Sequence, residues 1–310
     1  MYLKAIVIEE FGGPDKLQEQ SVPEPKIDAN QILIKVYATS VNPVDTKIRE
    51  GAMGEAAGSF PLILGGDVAG IVKEVGDNVS RFKPRDPVFA RPRVFGTYAQ
   101  YVAVDADVVV KKPENLSYEE AAAVPLAGLT AWQALVDHGK VKAGDKVLIH
   151  AGAGGVGTMA IQIAKCLGAT VASTASAENE ELLKSLGVDH FINYKEEDFS
   201  EVLSDYDMVL DTMGGEIQHK SFKVLKPGGH LVSILEKPDE SLAKDLGIHT
   251  AHFMMEPKGE QLEKLAEMIK KGKLKPVIDS TYWLNEQGVR DAHIKSESHH
   301  AKGKIVIREK

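Results

Sequence analysis

Residues 146–165 read KVLIHAGAGGVGTMAIQIAK, and this stretch decides the fold. Residues 147–150 form an apolar run short enough for a buried strand. Residues 156–165 carry the amphipathic spacing of a helix. Between them lies Gly152-Ala153-Gly154-Gly155-Val156-Gly157, where Gly152, Gly154 and Gly157 hold the GxGxxG phase. A tight strand-to-helix turn without side chains lets backbone approach a diphosphate, and helix-end N–H groups then hold its charge. The motif alone is weak. In this strand–turn–helix context it predicts a dinucleotide site built on Gly152, Gly154, Gly155, Val156 and Gly157. The competing reading is a packing-driven glycine turn in a cofactor-free α/β domain.

Strand–helix alternation continues downstream. Strands are expected at 170–174, 190–193, 208–211 and 231–235, with helices at 178–186 and near 222–225. Short parallel-type strands between helices predict a doubly wound sheet. The first third differs. Short runs at 3–8, 31–38, 69–75, 88–89, 96–104 and 108–111 are broken by Gly and Pro, the pattern of a small β-rich domain with a barrel-like core. A helix is expected at 44–50 with Asn42 as its cap. Ser117 and Glu120 stand in capping-box phase, Pro125 interrupts, and a helix resumes at 129–137. The tail offers a helix at 261–270, a strand at 277–281, a helix at 286–296 and a strand at 303–308, pieces able to return to the first domain. The expected division is 1–122 for a catalytic domain, 123–274 for a cofactor domain and 275–310 for the return.

Composition narrows the class. The 310 residues are 43% hydrophobic and 26% charged, those of a globular protein, with a net charge of −8 that disfavours nucleic acid or a membrane surface as partner. The single cysteine, Cys166, excludes an internal disulfide and a multi-thiolate zinc site, and is expected to pack without further role. The first residues, MYLKAIVIEEFG, read as a strand and not as a signal peptide, so a reducing, cytoplasmic setting is expected.

The dinucleotide reading makes a demand on the next strand. A ribose 2′-hydroxyl is normally held by an acid about twenty residues beyond the glycines. Here that place reads Ser173-Thr174-Ala175-Ser176-Ala177, and Glu178 comes only at the helix start. Hydroxyls at Ser173, Thr174 and Ser176 accept a 2′-phosphate that a carboxylate would repel, which favours NADPH over NADH. Tyr194 and Lys195, after the following strand, are candidate partners. Turn chemistry is the alternative for Ser173 and Ser176. The histidines are scattered, so zinc is disfavoured. Without a metal, hydride can add to an activated C=C conjugated to a carbonyl, with hydrogen-bond donors holding the developing oxyanion. Asn42, the backbone near Gly66, and Thr130 are the candidate donors. Asp45 and Asp67 are candidates for orienting the site; a cap acid and a turn acid are their plainer readings.

Several stretches together resemble the medium-chain dehydrogenase/reductase superfamily, and within it the zinc-free quinone oxidoreductase and alkenal/enone reductase branch. They are NPVDTKIREG (42–51), LGGDVAGIVKEVG (64–76), GTYAQY (96–101), PLAGLTAW (125–132), AGAGGVGTMAIQIAK (151–165) and AKGKIVI (301–307). The resemblance implies a GroES-like catalytic domain from both ends of the chain, a Rossmann cofactor domain between, and an active site in the cleft between them. It puts Asn42 where zinc-dependent relatives have a cysteine ligand, and Gly66 where they have a histidine. It places Thr130 beside nicotinamide, Ser173, Thr174, Ser176 and Tyr194 near the adenosine phosphate, and Asp211, Ser233, Leu235, Phe253 and Met254 along the cofactor. A basic residue that such relatives carry near Glu178 is missing here. The function implied is an NADPH-dependent, metal-free oxidoreductase acting on quinones or α,β-unsaturated carbonyls, with a homodimer as the common assembly. The alternative is an NADPH-binding regulatory or nucleic-acid-binding protein.

Overall fold

The structure is a computed structural model that describes residues 2–309. Its strands in chain order are β1 (Tyr2–Ile8), β2 (Gln18–Pro23), β3 (Gln31–Val41), β4 (Leu62–Ile63), β5 (Val68–Val75), β6 (Pro87–Ala90), β7 (Tyr101–Asp105), β8 (Val109–Lys111), β9 (Lys146–Ile149), β10 (Thr170–Ala175), β11 (His190–Asn193), β12 (Tyr206–Asp211), β13 (Leu225–Ser233), β14 (His249–His252), β15 (Ile278–Trp283) and β16 (Lys304–Arg308). Two compact units divide them. Of the described residues, those up to 126, 257–272 and those from 276 onward make the first, and 127–256 with 273–275 the second.

The second unit is a six-stranded sheet in the order β11-β10-β9-β12-β13-β14, every neighbour parallel. Counted from β9, this is the doubly wound order 3-2-1-4-5-6. The order reverses between β9 and β12, and the glycine turn leaves β9 at that point. Helices cover the sheet, and its central strands β9 and β12 are largely apolar on both faces. Leu148, Ala172, Val209 and Leu231 from four of them share one core with Phe199 and Phe222.

In the first unit β3 carries the architecture. One edge pairs with β5 along much of its length. The other edge serves two partners in turn, β7 against residues 31–35 and β16 against residues 38–41. The last strand of the chain thus returns to the first domain, antiparallel to β3. The expected barrel-like core resolves into two sheets, this seven-stranded one and β2-β1-β4, joined by a bridge between Ala5 and Ala99. Ile34, Val72, Val88 and Val104 fill the larger sheet's interior.

Four expectations change. The strand expected from 96 begins only at Tyr101, because the N–H groups of Gly96, Thr97 and Tyr98 turn back to the Gly65 and Leu64 carbonyls. Pro125 does not interrupt a helix but opens one, Pro125–Trp132, where its missing N–H costs nothing. Strands β2 and β14, of sequence QEQSVP and HTAH, have no apolar run to announce them. The helix Gly259–Lys270, assigned by the sequence boundaries to the cofactor domain, groups with the first unit. There Gly259 lies so close to the chain that a Cβ would stand 2.0 Å from the Asp107 oxygen, and Asn115 donates to the Ile269 carbonyl.

Candidate functional site

The glycine turn divides its residues into two kinds. A Cβ at Gly152 would lie 2.0 Å from Ser173 Oγ, and one at Gly157 2.5 Å from the Ala151 oxygen and 2.7 Å from Gly152 Cα. Packing of strand against helix therefore demands glycine at both. Gly154 is different: its φ is −77°, and a Cβ there would meet only the Ala151 oxygen at an ordinary 3.4 Å. Nothing in the protein's own packing requires glycine at 154. Gly154 is the N-cap of the helix Gly155–Cys166, which has no side-chain cap and no acid in its first turn. Its leading N–H groups and positive dipole end suit an anion. A cradle that a Cβ would fill, at a helix amino end, fits a diphosphate.

The carboxyl ends of β10 and β11 correct part of the sequence reading. Ser173 is fully buried, and its hydroxyl donates to the Ile149 carbonyl at 2.8 Å. It locks the turn and has no hydrogen to give a 2′-phosphate. Thr174 is likewise turned inward, its Oγ1 bonded to Ala151 N–H and to His150 Nδ1, each at 3.2 Å. His150 bonds Ser221 through Nε2, and burial lowers its pKa to about 4, so it stays neutral. Ser176 is half-buried, takes a hydrogen bond from Asn179 and donates its own to Glu178 Oε1 at 3.3 Å. Tyr194 and Lys195 are exposed.

Further along the same edge, Asp211 and Ser233 are committed to each other. Asp211 Oδ2 accepts from Ser233 Oγ at 2.7 Å and from Gln218 Nε2 at 3.0 Å, and Oδ1 accepts from the Met213 and Gly214 N–H groups. Both side chains hold the loop after β12 and are not available to a ligand; sequence reading missed Gln218. Leu235 and Met254 are exposed, with Met213 beside the end of β12. Phe253 stacks on His138 at 4.4 Å. Parallel strands thus end in apolar side chains open to solvent, the usual place for a ligand in an open α/β sheet.

In the first unit, Asn42, Asp45 and Asp67 come together in a buried polar cluster. Asp67 is no turn acid. Its Oδ2 accepts from Ser40 Oγ at 2.6 Å and Asn42 Nδ2 at 2.8 Å, its Oδ1 from the Leu126 N–H at 2.7 Å, and Lys304 Nζ stands 3.6 Å away. Lys304, buried at the start of β16, also donates to the Val41 carbonyl and to Asn42 Oδ1. The amide of Asn42 is therefore fixed at both ends, and it makes no side-chain capping bond to the helix Pro43–Arg49. Asp45 provides the reciprocal half of that cap, taking the Asn42 N–H at 2.7 Å. Burial lifts its pKa to about 6 and pushes Lys304 below the usual lysine range. Thr130, the fourth candidate, lies buried in the second unit.

A chain of polar contacts leads outward from Asp45. Tyr98 is buried beside it, with a pKa well above the usual phenol value because of that burial. Tyr98 Oη meets His293 Nε2 at 3.2 Å, and His293 Nδ1 meets Arg49 Nη1 at 3.1 Å. A guanidinium only donates, so Nδ1 accepts and the His293 proton sits on Nε2. Burial keeps that ring neutral, with a pKa near 3. Arg49 is fully buried yet well paired, through the Gly12 carbonyl and the carboxylates of Glu50 and Glu297.

Known proteins agree with both halves. Residues 28–114 match the alcohol dehydrogenase GroES-like domain, and residues 186–307 a family described as zinc-binding dehydrogenase. An Arabidopsis thaliana protein named NADPH-dependent alkenal/one oxidoreductase, chloroplastic, is 38% identical over 98% of this chain and 79% of its own length. The chain belongs to the medium-chain dehydrogenase/reductase superfamily. It falls in the zinc-free quinone and enone oxidoreductase branch. A quinone oxidoreductase from Coxiella burnetii superposes with a TM-score of 0.91 at 38% identity, over 99% of each chain. An Escherichia coli quinone oxidoreductase complexed with NADPH does so with 0.89 at 28% identity, over 98% of this chain and 99% of that one. Zinc does not fit here. Asn42 and Gly66 stand where the superfamily resemblance puts cysteine and histidine ligands, and among the described residues no three His, Cys, Asp or Glu side chains are grouped to hold a metal ion. The lone Cys166, expected to pack, is exposed instead.

Lys304 is the member of the buried cluster that sequence reading passed over. It lay in plain view within AKGKIVI, a lysine at the head of the apolar run 305–307. Its partner Asn42 is far away in sequence, which hid the pair.

Proposed function

We propose that this protein is an NADPH-dependent, metal-free reductase of quinones and α,β-unsaturated carbonyls. The observation that carries the reading is Gly154, a glycine that packing does not require, at an uncapped helix start beside two glycines that packing does require. That asymmetry is explained by a diphosphate lying against the 154–157 backbone. When bound, the reduced nicotinamide supplies a hydride. The chain's own residues do the rest. Gly154, Gly155, Val156 and Gly157 hold the diphosphate through backbone N–H groups. Tyr194 and Lys195 are the groups left to meet a 2′-phosphate, since Ser173 and Thr174 are spent inside the fold and the Ser176 hydroxyl donates to the Glu178 carboxylate. Leu235, Phe253 and Met254 supply apolar contact along the cofactor. In the first unit, Asp67 and Lys304 fix the Asn42 amide. One Nδ2 hydrogen then remains for a substrate oxygen.

The preference for NADPH is supported by the lack of an acid at the end of β10 and by the name of the Arabidopsis relative. A cytoplasmic homodimer goes with this reading, supported by the single cysteine and by the family's common assembly. The test is direct titration with NADPH and NADH, followed by turnover of a quinone panel and an enone panel in the presence of a chelator. NADPH binding at least tenfold tighter than NADH and chelator-resistant turnover of one panel are expected. Equal affinities would remove the coenzyme preference, and no turnover of either panel would remove the reductase.

A further inference from the structure

Two arginines are buried in the first unit, and they contrast. Arg49 is fully buried and its guanidinium is met by a carbonyl, an imidazole and two carboxylates. Arg91, just after β6, keeps 7% of its surface exposed and donates one hydrogen bond, from Nη1 to the Pro92 carbonyl. Its Nε is sealed from solvent and has no partner. A guanidinium has five N–H donors, and interiors rarely leave such groups unmet.

The neighbouring carboxylates do not fill the gap. Asp45 and Asp67 are close enough to act on Arg91 through their charge, but among the described residues neither forms an ion pair with it. Asp67 is occupied by Ser40, Asn42, the Leu126 N–H and Lys304, and Asp45 Oδ2 by the Asn42 N–H, while Asp45 Oδ1 is buried without a hydrogen-bond partner and makes no bond to Arg91. The guanidinium is nevertheless held in place. It lies over the Phe95 ring at 5.1 Å and against Gly66, where a Cβ would come within 3.1 Å of Cζ. A rigid, desolvated cation with unused donors is prepared for an anionic oxygen that arrives later. Lys304 is less suited to that part, because two of its three donors are spent on Asn42 and Val41 and its charge is paired with Asp67 at 3.6 Å.

We propose that Arg91 holds the substrate's carbonyl oxygen and stabilises the negative charge it gains on reduction. The proposal rests on the reductase reading above and names a catalytic residue for it. The hydride, supplied by the reduced nicotinamide, which is thereby oxidised, adds to the accepting carbon of the enone or quinone. The displaced π-electron pair moves through the conjugated system onto the carbonyl oxygen. That oxygen becomes the oxyanion of an enolate, for a quinone as for an enone. In the enone a proton from water then adds at the α-carbon and completes the two-electron reduction. In the quinone water protonates the oxyanion, and the ring carbon that took the hydride gives up one proton to water while the second carbonyl oxygen takes one, which leaves the aromatic hydroquinone. Both acceptor classes pass through an oxyanion, so one cation serves both.

The test compares wild type with R91Q and R91K. One readout is turnover of a neutral enone, a neutral quinone and an enone that carries a carboxylate. The other is the visible spectrum of bound 4-nitrophenol, whose phenolate mimics the oxyanion and alone is yellow. Removing such a donor is expected to lower kcat/KM for both acceptors by roughly a hundred- to a thousandfold, with NADPH affinity within twofold of wild type. Wild type is expected to bind 4-nitrophenol as phenolate below its solution pKa, and R91Q to lose that band. R91K keeps the buried charge if R91Q unfolds; it is expected to lose at least tenfold in kcat/KM. Unchanged kinetics and an unchanged spectrum in either folded variant would overturn the proposal. So would a loss confined to acceptors that carry a carboxylate. If wild type binds NADPH but reduces neither acceptor, the reductase reading fails, and the spectrum alone still decides whether Arg91 is an oxyanion site.

Discussion

Replacing Gly154 by alanine separates cofactor binding from folding. The backbone at 154 has φ −77°, which alanine adopts freely, and the new Cβ would make one ordinary contact of 3.4 Å to the Ala151 oxygen. Folding is therefore expected to be unharmed; reduced freedom of the unfolded chain can add about 0.4–1 kcal/mol of stability. Binding is another matter. The methyl group would stand where the diphosphate approaches, and would cost one charge-assisted hydrogen bond, about 1.5–3 kcal/mol. That loss corresponds to roughly a ten- to hundredfold weaker Kd. Gly157→Ala is the control. Its Cβ would lie 2.5 Å from the Ala151 oxygen and 2.7 Å from Gly152 Cα, backbone atoms that cannot swing away. It is expected to lower Tm clearly. The measurements are thermal unfolding without ligand and fluorescence titration with NADPH. A folded Gly154→Ala variant that binds NADPH within twofold of wild type would refute the reasoning, because the open space at 154 would then have no ligand to explain it.

Four more outcomes follow from the same geometry. Ser173→Ala should lower stability by about 1 kcal/mol through the lost bond to Ile149 and leave the NADPH-to-NADH affinity ratio unchanged; a changed ratio would return Ser173 to the phosphate. Lys195→Ala with Tyr194→Phe should reduce that ratio at least fivefold while NADH affinity holds, read by the same titration. Lys304→Met should destabilise by about 3–5 kcal/mol, since it leaves Asp67 without its cation and Asn42 Oδ1 unpaired; denaturant unfolding measures it. His150 has its pKa lowered to about 4 in the folded chain, against 6.5 when unfolded. The unfolded chain therefore binds the extra proton first, and stability is lost as pH falls from about 6.5 toward 4, by roughly 3 kcal/mol. Unfolding of His150→Gln across that range should lack this part of the slope, and an identical slope would exclude His150 as its source.

Local chemistry made much of this protein legible before its structure. A parallel strand buried on both faces tends to a short apolar run, so β9, β12 and the end of β13 announced themselves. A strand-to-helix turn that has no room for Cβ must be written in glycine, so the turn at 152–157 did too. These are properties of neighbours along the chain. Where a strand was polar or lay at a sheet edge, as with β2 and β14, no such pattern existed and the strand went unseen.

Tertiary structure alone decided what each polar side chain does. Ser173 and Ser176 look alike in sequence, yet one is locked under Gly152 and the other reaches the surface. Asp67 reads as a turn acid, but β3, β5, the Leu126 amide and a lysine brought back by β16 make it the centre of a buried cluster. Arg49 and Arg91 are the same residue and both are buried, and only their surroundings make one satisfied and the other unspent. Secondary structure is set by nearest neighbours and their periodicity. The charge state and free hydrogen-bonding capacity of a buried group depend on desolvation and on partners many residues away, and those exist only once the chain has closed.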